Sequence, residues 1–102
     1  MLQGFRGQDL LLTLVLADGD ATKFPRARVY DSAGSEVTGS PFDLAAVGAE
    51  GLYQDVWVAP DVEGYFSAII IVYNDGAHTQ VSNKYDRIGD SIRLDVPPGA
   101  VT

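Results

Sequence analysis

Turn signals recur at short intervals along this chain and separate short apolar runs, which limits the folds that the chain can adopt. They include Asp18-Gly19, Asn74-Asp75-Gly76 and Pro97-Pro98-Gly99. Between the turns, Val, Ile, Thr, Phe, Tyr and Trp are frequent and make up 31 of the 102 residues. These side chains suit the pleated surface of a sheet. Short strands at such regular spacing predict an all-β sandwich or barrel.

The apolar runs favour a single compact antiparallel β-sandwich of about seven to eight strands. Residues 9–97 are predicted to form this domain, with an N-terminal arm at 1–8 and a C-terminal tail at 98–102. The segment 91–96 alternates apolar and polar residues, as a half-buried strand does. The predicted strands are 9–17, 26–31, 35–38, 42–46, 52–58, 65–73, 79–85 and 90–96.

Charge and composition exclude several classes of function. The net charge of −7 opposes binding to nucleic-acid phosphates or to anionic lipid, so neither nucleic acid nor membrane is expected as a partner. The chain has no Cys, and therefore no disulfide, thiolate metal site or Cys nucleophile. The apolar run at 10–16 is shorter than the ~20 residues of a membrane span and lacks the basic start of a secretory signal. We therefore expect the chain to stay where it is made or to leave as part of something larger.

Residue patterns for catalysis or metal binding are weak. The one histidine, His78, follows a turn and is predicted to be an exposed loop residue, and no nucleophile elbow or phosphate loop is present. Asp18 and Asp20, with Asn74 and Asp75 at the same end of the fold, form a conceivable Ca²⁺ site, although ordinary turn acids are the favoured interpretation. We expect no enzyme activity and no cofactor.

Two predicted strands carry apolar residues on both faces, where a half-buried strand should alternate. In 10–16, four leucines occupy one face, but Leu11 and Val15 lie on the other. In 66–73, the second face holds Ile69, Ile71 and Tyr73. Two-sided apolar strands need a second cover, since large exposed apolar patches usually mark binding sites. The cover is either local, from residues 1–8 or 39–51, or it is another protein chain.

The strand at 52–58 divides its residues between two faces. We predict that Leu52, Val56 and Val58 face inward, and that Tyr53, Asp55 and Trp57 face outward. Trp and Tyr are typical interface anchors, so the outward aromatic pair supports an interaction surface. A register shifted by one residue would instead bury Trp57.

Three stretches of the chain together resemble a known family, the small immunoglobulin-like β-sandwich structural proteins of tailed bacteriophage virions. They run from Asp18 to Glu36, from Gly51-Leu-Tyr-Gln-Asp to Gly64-Tyr-Phe-Ser, and from Ile70-Ile-Val-Tyr-Asn-Asp-Gly-Ala-His to Val96. The resemblance covers roughly residues 15–96. Antibody-type domains are excluded because the Cys…Trp…Cys pattern is absent.

The resemblance implies a non-enzymatic virion protein, assembled in the host cytoplasm, whose partners are other virion proteins. Within that class we expect a capsid decoration (cement) protein that docks on neighbouring subunits and forms a homo-oligomer such as a trimer. A tail, neck or baseplate component is an alternative. A second alternative is a carbohydrate- or cell-surface-binding module that uses Tyr53 and Trp57 as a stacking platform and Asp55 as acceptor. The predicted partner-binding residues are Leu2, Phe5, Leu11, Val15, Tyr53, Trp57, Ile69, Ile71 and Tyr73.

Overall fold

The computed structural model describes residues 2–98, which form eight β-strands and contain no helix that could cross a membrane. The predicted tail at 98–102 lies outside the described residues except for Pro98. The strands are β1 (Leu2–Phe5), β2 (Asp9–Val15), β3 (Phe24–Tyr30), β4 (Phe42–Asp43), β5 (Ala45–Ala46), β6 (Leu52–Val58), β7 (Gly64–Tyr73) and β8 (Ile88–Asp95).

The strands form two sheets, so the prediction of an all-β fold is confirmed. One sheet has five strands in the order β1-β8-β7-β3-β4, and the other has three in the order β2-β6-β5. The prediction of purely antiparallel pairing was wrong, because β1 runs parallel to β8 with Leu2 opposite Ile92 and Phe5 opposite Asp95. Residues 2–5 are therefore an edge strand rather than part of a separate arm. Leu2 holds this strand in place by packing against the core.

The inward faces of both sheets contribute to one hydrophobic core. On β2 the alternate residues Leu10, Leu12 and Leu14 are buried, as their spacing predicts. Tyr53 and Trp57 of β6 are buried with 0% and 2% exposure, so their predicted outward orientation was wrong. The physical reason is size, since these two rings bury far more apolar surface than the aliphatic residues on the other face. The Trp57 ring meets Phe66 of β7 edge-on, with centroids 6.2 Å apart.

The predicted strand at 42–46 is divided between the two sheets. Phe42 and Asp43 pair with β3, whereas Ala45 and Ala46 pair with β6. Leu44 lies between them with 4% exposure, and its N–H donates to the Pro25 carbonyl across 3.0 Å. This one buried leucine thus marks the point at which the chain changes sheets.

The prediction of strands at 35–38 and 79–85 was wrong. Each segment forms only one isolated β-bridge. One bridge joins Tyr30 to Glu36 and the other joins Tyr73 to Val81. In the second segment the Asp75 carboxylate accepts hydrogen bonds from the backbone N–H groups of Thr79 and Gln80. Such side-chain bonds compete with a strand ladder for the same backbone groups. The segment between β7 and β8 is therefore a hydrogen-bonded loop.

Candidate interaction surface

The outer side of the three-stranded sheet is apolar and exposed. We call it the aliphatic face and define it by five residues, Leu11, Val15, Leu52, Val56 and Val58. The exposed fractions are 51% for Leu11, 64% for Val15, 50% for Val56 and 63% for Val58, and Leu52 is half-buried. Isolated exposed aliphatic residues are ordinary, but a contiguous group is typical of a binding surface.

Strand register makes the aliphatic face continuous across β2 and β6. Leu11 lies opposite Val56, and Val15 lies opposite Leu52. Directly opposed side chains have Cβ atoms roughly 4.5–5.5 Å apart, close enough to form one surface. The pair between them, Thr13 and Gln54, is polar but uncharged. The charged residue in these rows is Asp9, which lies at one margin opposite Val58. The centre of the face is thus free of charge.

A local cover was expected from residues 1–8 or 39–51, but with residues 2–8 and 39–51 in place Leu11 and Val15 are 51% and 64% exposed. Residues 2–5 pair with β8 in the other sheet, and the short strands β4 and β5 lie at sheet edges. The local-cover interpretation is therefore wrong for β2, whose exposed second apolar face matches the sequence prediction.

On the outer side of the five-stranded sheet, the two central isoleucines lie beside arginines, whereas Phe24 and Tyr65 of the same side are exposed. Ile69 and Ile71 of β7 are half-buried and lie opposite Arg28 and Arg26 of β3, respectively. Arg26 Nε lies 2.8 Å from Asp43 Oδ1, and Arg28 Nη1 lies 3.1 Å from Glu36 Oε1. Arginine stems held in this way cover apolar neighbours while the guanidinium stays in water. We call this side the arginine-covered face.

Tyr73, also predicted to bind a partner, packs within the chain against His78. Their ring centroids are 5.1 Å apart, and the His78 ring also meets Phe24 at 6.5 Å. The His78 side chain is only 6% exposed, so its prediction as an exposed loop residue was wrong. His78 Nε2 lies 3.3 Å from Asp43 Oδ1, without hydrogen-bond geometry. The loop bonds of Asp75 bring His78 here, and no simple sequence pattern signals that placement.

The nine predicted partner-binding residues do not form one surface. Leu11 and Val15 belong to the aliphatic face, whereas Leu2 and Phe5 lie beside β8 on the other sheet. Tyr53 and Trp57 lie in the core, which removes the stacking platform of the carbohydrate-binding alternative. Leu52, Val56 and Val58 were predicted to face inward but lie on the surface side of β6. The signal that could have predicted this was their alternation along the strand with Tyr53 and Trp57, because the face with the larger side chains is the one that is buried.

The loop residues considered for Ca²⁺ are bonded to donors of the protein itself. Asp18 Oδ2 lies 2.6 Å from Lys84 Nζ and accepts a hydrogen bond of 2.5 Å from the Tyr85 hydroxyl. These hydrogen bonds, first from Lys84 and then from Tyr85, lower the pKa of Asp18 to about 2. Asn74 Oδ1 accepts from Lys23 Nζ at 2.9 Å. Two ammonium groups thus lie where a cation would bind.

Asp20 and Asp75 are engaged in a similar way, by hydrogen bonds within their own turns. The Asp20 carboxylate accepts hydrogen bonds from the backbone N–H and the hydroxyl of Thr22. The Asp75 carboxylate accepts the same two kinds of hydrogen bond from Thr79. These bonds lower the pKa of both carboxyl groups. Within residues 2–98, no three His, Asp or Glu side chains are grouped closely enough to hold a metal ion. The four candidate ligands therefore serve to order loops.

The candidate functional site of the described residues is therefore an exposed sheet surface and not a cluster of reactive side chains. Trp57 and Tyr53 are in the core, and the loop acids are occupied by lysine, tyrosine and threonine donors. Comparisons of this chain with protein-family models, with curated proteins and with solved structures found no match.

Proposed function

We propose that this chain is a non-catalytic structural domain that assembles with neighbouring protein subunits through its aliphatic face. The observation that carries the proposal is the group formed by Leu11, Val15, Val56 and Val58, each at least half exposed and side by side on two paired strands. Burying such side chains against a partner removes apolar surface from water, which is the dominant favourable term in protein association. The acidic remainder of the surface keeps the assembly soluble.

The partner that best fits the aliphatic face is a further copy of the same chain. Two copies that each carry a net charge of −7 repel one another, so a contact between them is most favourable where charge is absent. The centre of the aliphatic face meets that condition, with Thr13 and Gln54 as its polar pair. Contacts among identical copies usually close into symmetric rings, and a trimer or a similar ring is the expected product.

The strand order supports a finer proposal for the architecture, an immunoglobulin-like sandwich. In the variable type of that fold, strands G, F, C and C′ share one sheet, and B, E and D share the other. The neighbours β8-β7-β3-β4 follow one another in the same order as G, F, C and C′, and β2-β6-β5 follow the order B, E and D. Together with the sequence resemblance, this order supports a role as a phage virion protein, most specifically a capsid decoration protein docked on neighbouring subunits.

The assembly proposal is tested by charging the aliphatic face without breaking the β2–β6 ladder. The double variant Leu11→Lys/Val56→Glu introduces opposite charges on residues that face each other, so the new pair supports the ladder. The matched control Ser67→Lys/Ser91→Glu places the same pair on the outer side of β7 and β8. Size-exclusion chromatography with light scattering gives the mass of each species.

We expect an oligomer for the unmodified chain and for the control, and a folded monomer for the aliphatic-face variant. Circular dichroism confirms that each variant keeps its strands. A monomeric unmodified chain at all concentrations would contradict self-assembly through this face. Loss of the oligomer in the control variant alone would show that the contact lies on the five-stranded sheet.

A further inference from the structure

The second edge of β2 is an open strand edge. Within residues 2–98, β2 pairs with β6 and with no other strand. The Leu16 N–H donates to Gly51 O at 2.9 Å, and the Ala59 N–H donates to Gln8 O at 3.0 Å. These bonds show that even-numbered residues direct their backbone groups toward β6. In an antiparallel ladder the alternate residues, Leu11, Thr13 and Val15 among them, therefore direct N–H and C=O toward the open edge.

The open edge lacks the devices that usually block strand addition. Proteins protect sheet edges with lysines, prolines, bulges or very short strands. β2 has seven residues, Asp9–Val15, with no lysine and no proline, and its register with β6 is unbroken. Its one charged residue, Asp9, lies at the end of the strand. The remaining six residues are thus available as a template for a further strand.

An apolar cleft of about 260 Å³ lies beside this edge, between the two sheets. A dry apolar cavity of roughly 150 Å³ is sufficient to bind benzene, so this cleft is large enough for aliphatic side chains. A strand added to β2 would direct alternate side chains into the cleft, because side chains alternate across a sheet. The apolar lining residues are Leu2, Leu11, Leu12, Ala68, Ile70, Ile88 and Ile92, and Thr13 and Asp90 complete the lining.

We propose that the open edge of β2 and the adjoining cleft bind one extended segment of a partner protein, which adds to the three-stranded sheet as a fourth strand. Main-chain hydrogen bonds supply affinity in this mode of recognition, and pockets for alternate side chains supply specificity. The segment carries aliphatic residues at alternate positions, which enter the cleft. Basic residues flank it, because the chain has a net charge of −7 and Asp9 lies at the end of the edge.

A single strand fits this site better than a second copy of the domain. Two β2 strands paired antiparallel are related by an axis perpendicular to their sheet, so both five-stranded sheets would lie on the same side. Leu2 of β1 and Ile88 of β8 line the cleft beyond the open edge. The corresponding strands of a second copy would lie on this same side of the paired sheets. The cleft is therefore better matched to one added strand than to another two-sheet body.

The test uses a short synthetic peptide of alternating valine and threonine, as long as β2, with a lysine at each end. Backbone amide hydrogen exchange is measured by NMR with and without this peptide. In the free protein we expect rapid exchange at Leu11, Thr13 and Val15, and slow exchange at Leu12 and Leu14. Saturating peptide should slow the three rapid amides about tenfold each, as expected for one added hydrogen bond per amide.

The variant Thr13→Pro removes an N–H that points to the open edge, at a position where an edge strand tolerates proline. It should abolish the peptide effect while Leu12 and Leu14 stay protected, and the matched variant Thr13→Val, which keeps the N–H, should retain binding. Unchanged exchange in the unmodified protein at saturating peptide would overturn the proposal. So would protection of the three amides that grows with protein concentration alone in the Leu11→Lys/Val56→Glu variant, whose aliphatic face no longer associates; that result would identify a second copy as the occupant of the edge.

This site shares Leu11, Thr13 and Val15 with the aliphatic face, but it uses their backbone groups, whereas the assembly uses their side chains. A chain that stays monomeric yet binds the peptide would reject the proposed self-assembly and support the strand-binding site. A chain that forms oligomers but does not bind the peptide would support the proposed self-assembly and reject the strand-binding site. The two proposals therefore fail independently.

Discussion

The aliphatic face and the arginine-covered face start from the same sequence pattern and end in different surroundings. β2 and β7 both carry apolar residues on two sides. On β7, the outward Ile69 and Ile71 lie opposite arginines of β3 and are half-buried. On β2, the outward Leu11 lies opposite Val56 and is 51% exposed. A two-sided apolar strand thus predicts that a cover is needed, and the paired strand decides whether the chain itself provides it.

The largest expected effect tests the orientation of β6, on which the aliphatic face depends. Trp57→Ala should lower the free energy of unfolding by about 3–5 kcal/mol because it empties a buried site. The neighbouring Val56→Ala should change it by less than about 0.5 kcal/mol, as is usual for an exposed position. Urea unfolding measured below the concentration at which the protein associates gives both values. Equal losses for the two variants would contradict the orientation and, with it, the aliphatic face.

A smaller effect, on stability and on association, is expected when the arginine side chains of the arginine-covered face are removed. Arg26→Ala/Arg28→Ala removes two partly exposed ion pairs, which costs at most about 1 kcal/mol each, and it uncovers Ile69 and Ile71. We expect a second apolar surface and therefore higher-order association, measured by sedimentation velocity.

The control for this prediction is Arg93→Ala, which removes a positive charge paired with Asp95 away from the isoleucines. It should leave the association state of the protein unchanged. If the double variant associates no more than Arg93→Ala does, the arginine stems are not what keeps the second face from associating.

The smallest expected effect is a loss of stability in acid, which depends on a loop carboxylate and on neither sheet face. The folded pKa of Asp18, about 2, is below the ordinary value of about 3.9, so ionised Asp18 stabilises the fold above roughly pH 4. That contribution is lost as pH falls from about 4 toward 2. The carboxyl carbon shift of Asp18 should titrate near pH 2, and Lys84→Met should move its midpoint upward. A midpoint that does not change in Lys84→Met would show that Lys84 does not hold this carboxylate.

Much of the fold follows from local sequence pattern. The predicted strand at 52–58 coincides with β6, and those at 9–17, 65–73 and 90–96 differ from β2, β7 and β8 by no more than two residues at either end. Runs rich in β-branched, aromatic and other apolar residues, bounded by turn residues, mark such strands locally. The split of 42–46 between sheets depends on the burial of Leu44, which is set by tertiary packing.

The site was harder to predict because it depends on pairing between distant strands. Leu11 and Val15 were identified from β2 alone, but their neighbours on β6 were assigned to the core. Asp55 shares its side of β6 with Tyr53 and Trp57, and all three were predicted to face outward. Asp55 is half-buried in the part of β6 beyond the residues that pair with short β5. The cover over Ile69 was missed for a related reason, since Arg28 is distant in sequence and adjacent only through strand register.

The parallel pairing of β1 with β8 has a mechanical consequence. The two strands belong to opposite ends of the described chain and point in the same direction, with four residue pairs between them. Tension applied to the two ends would draw the strands past each other along their length. The four residue pairs would then be loaded in shear and would have to break together, instead of breaking one after another as they do when strands are peeled apart. The geometry thus gives this small domain resistance to stretching that its modest number of contacts at that edge would not otherwise provide.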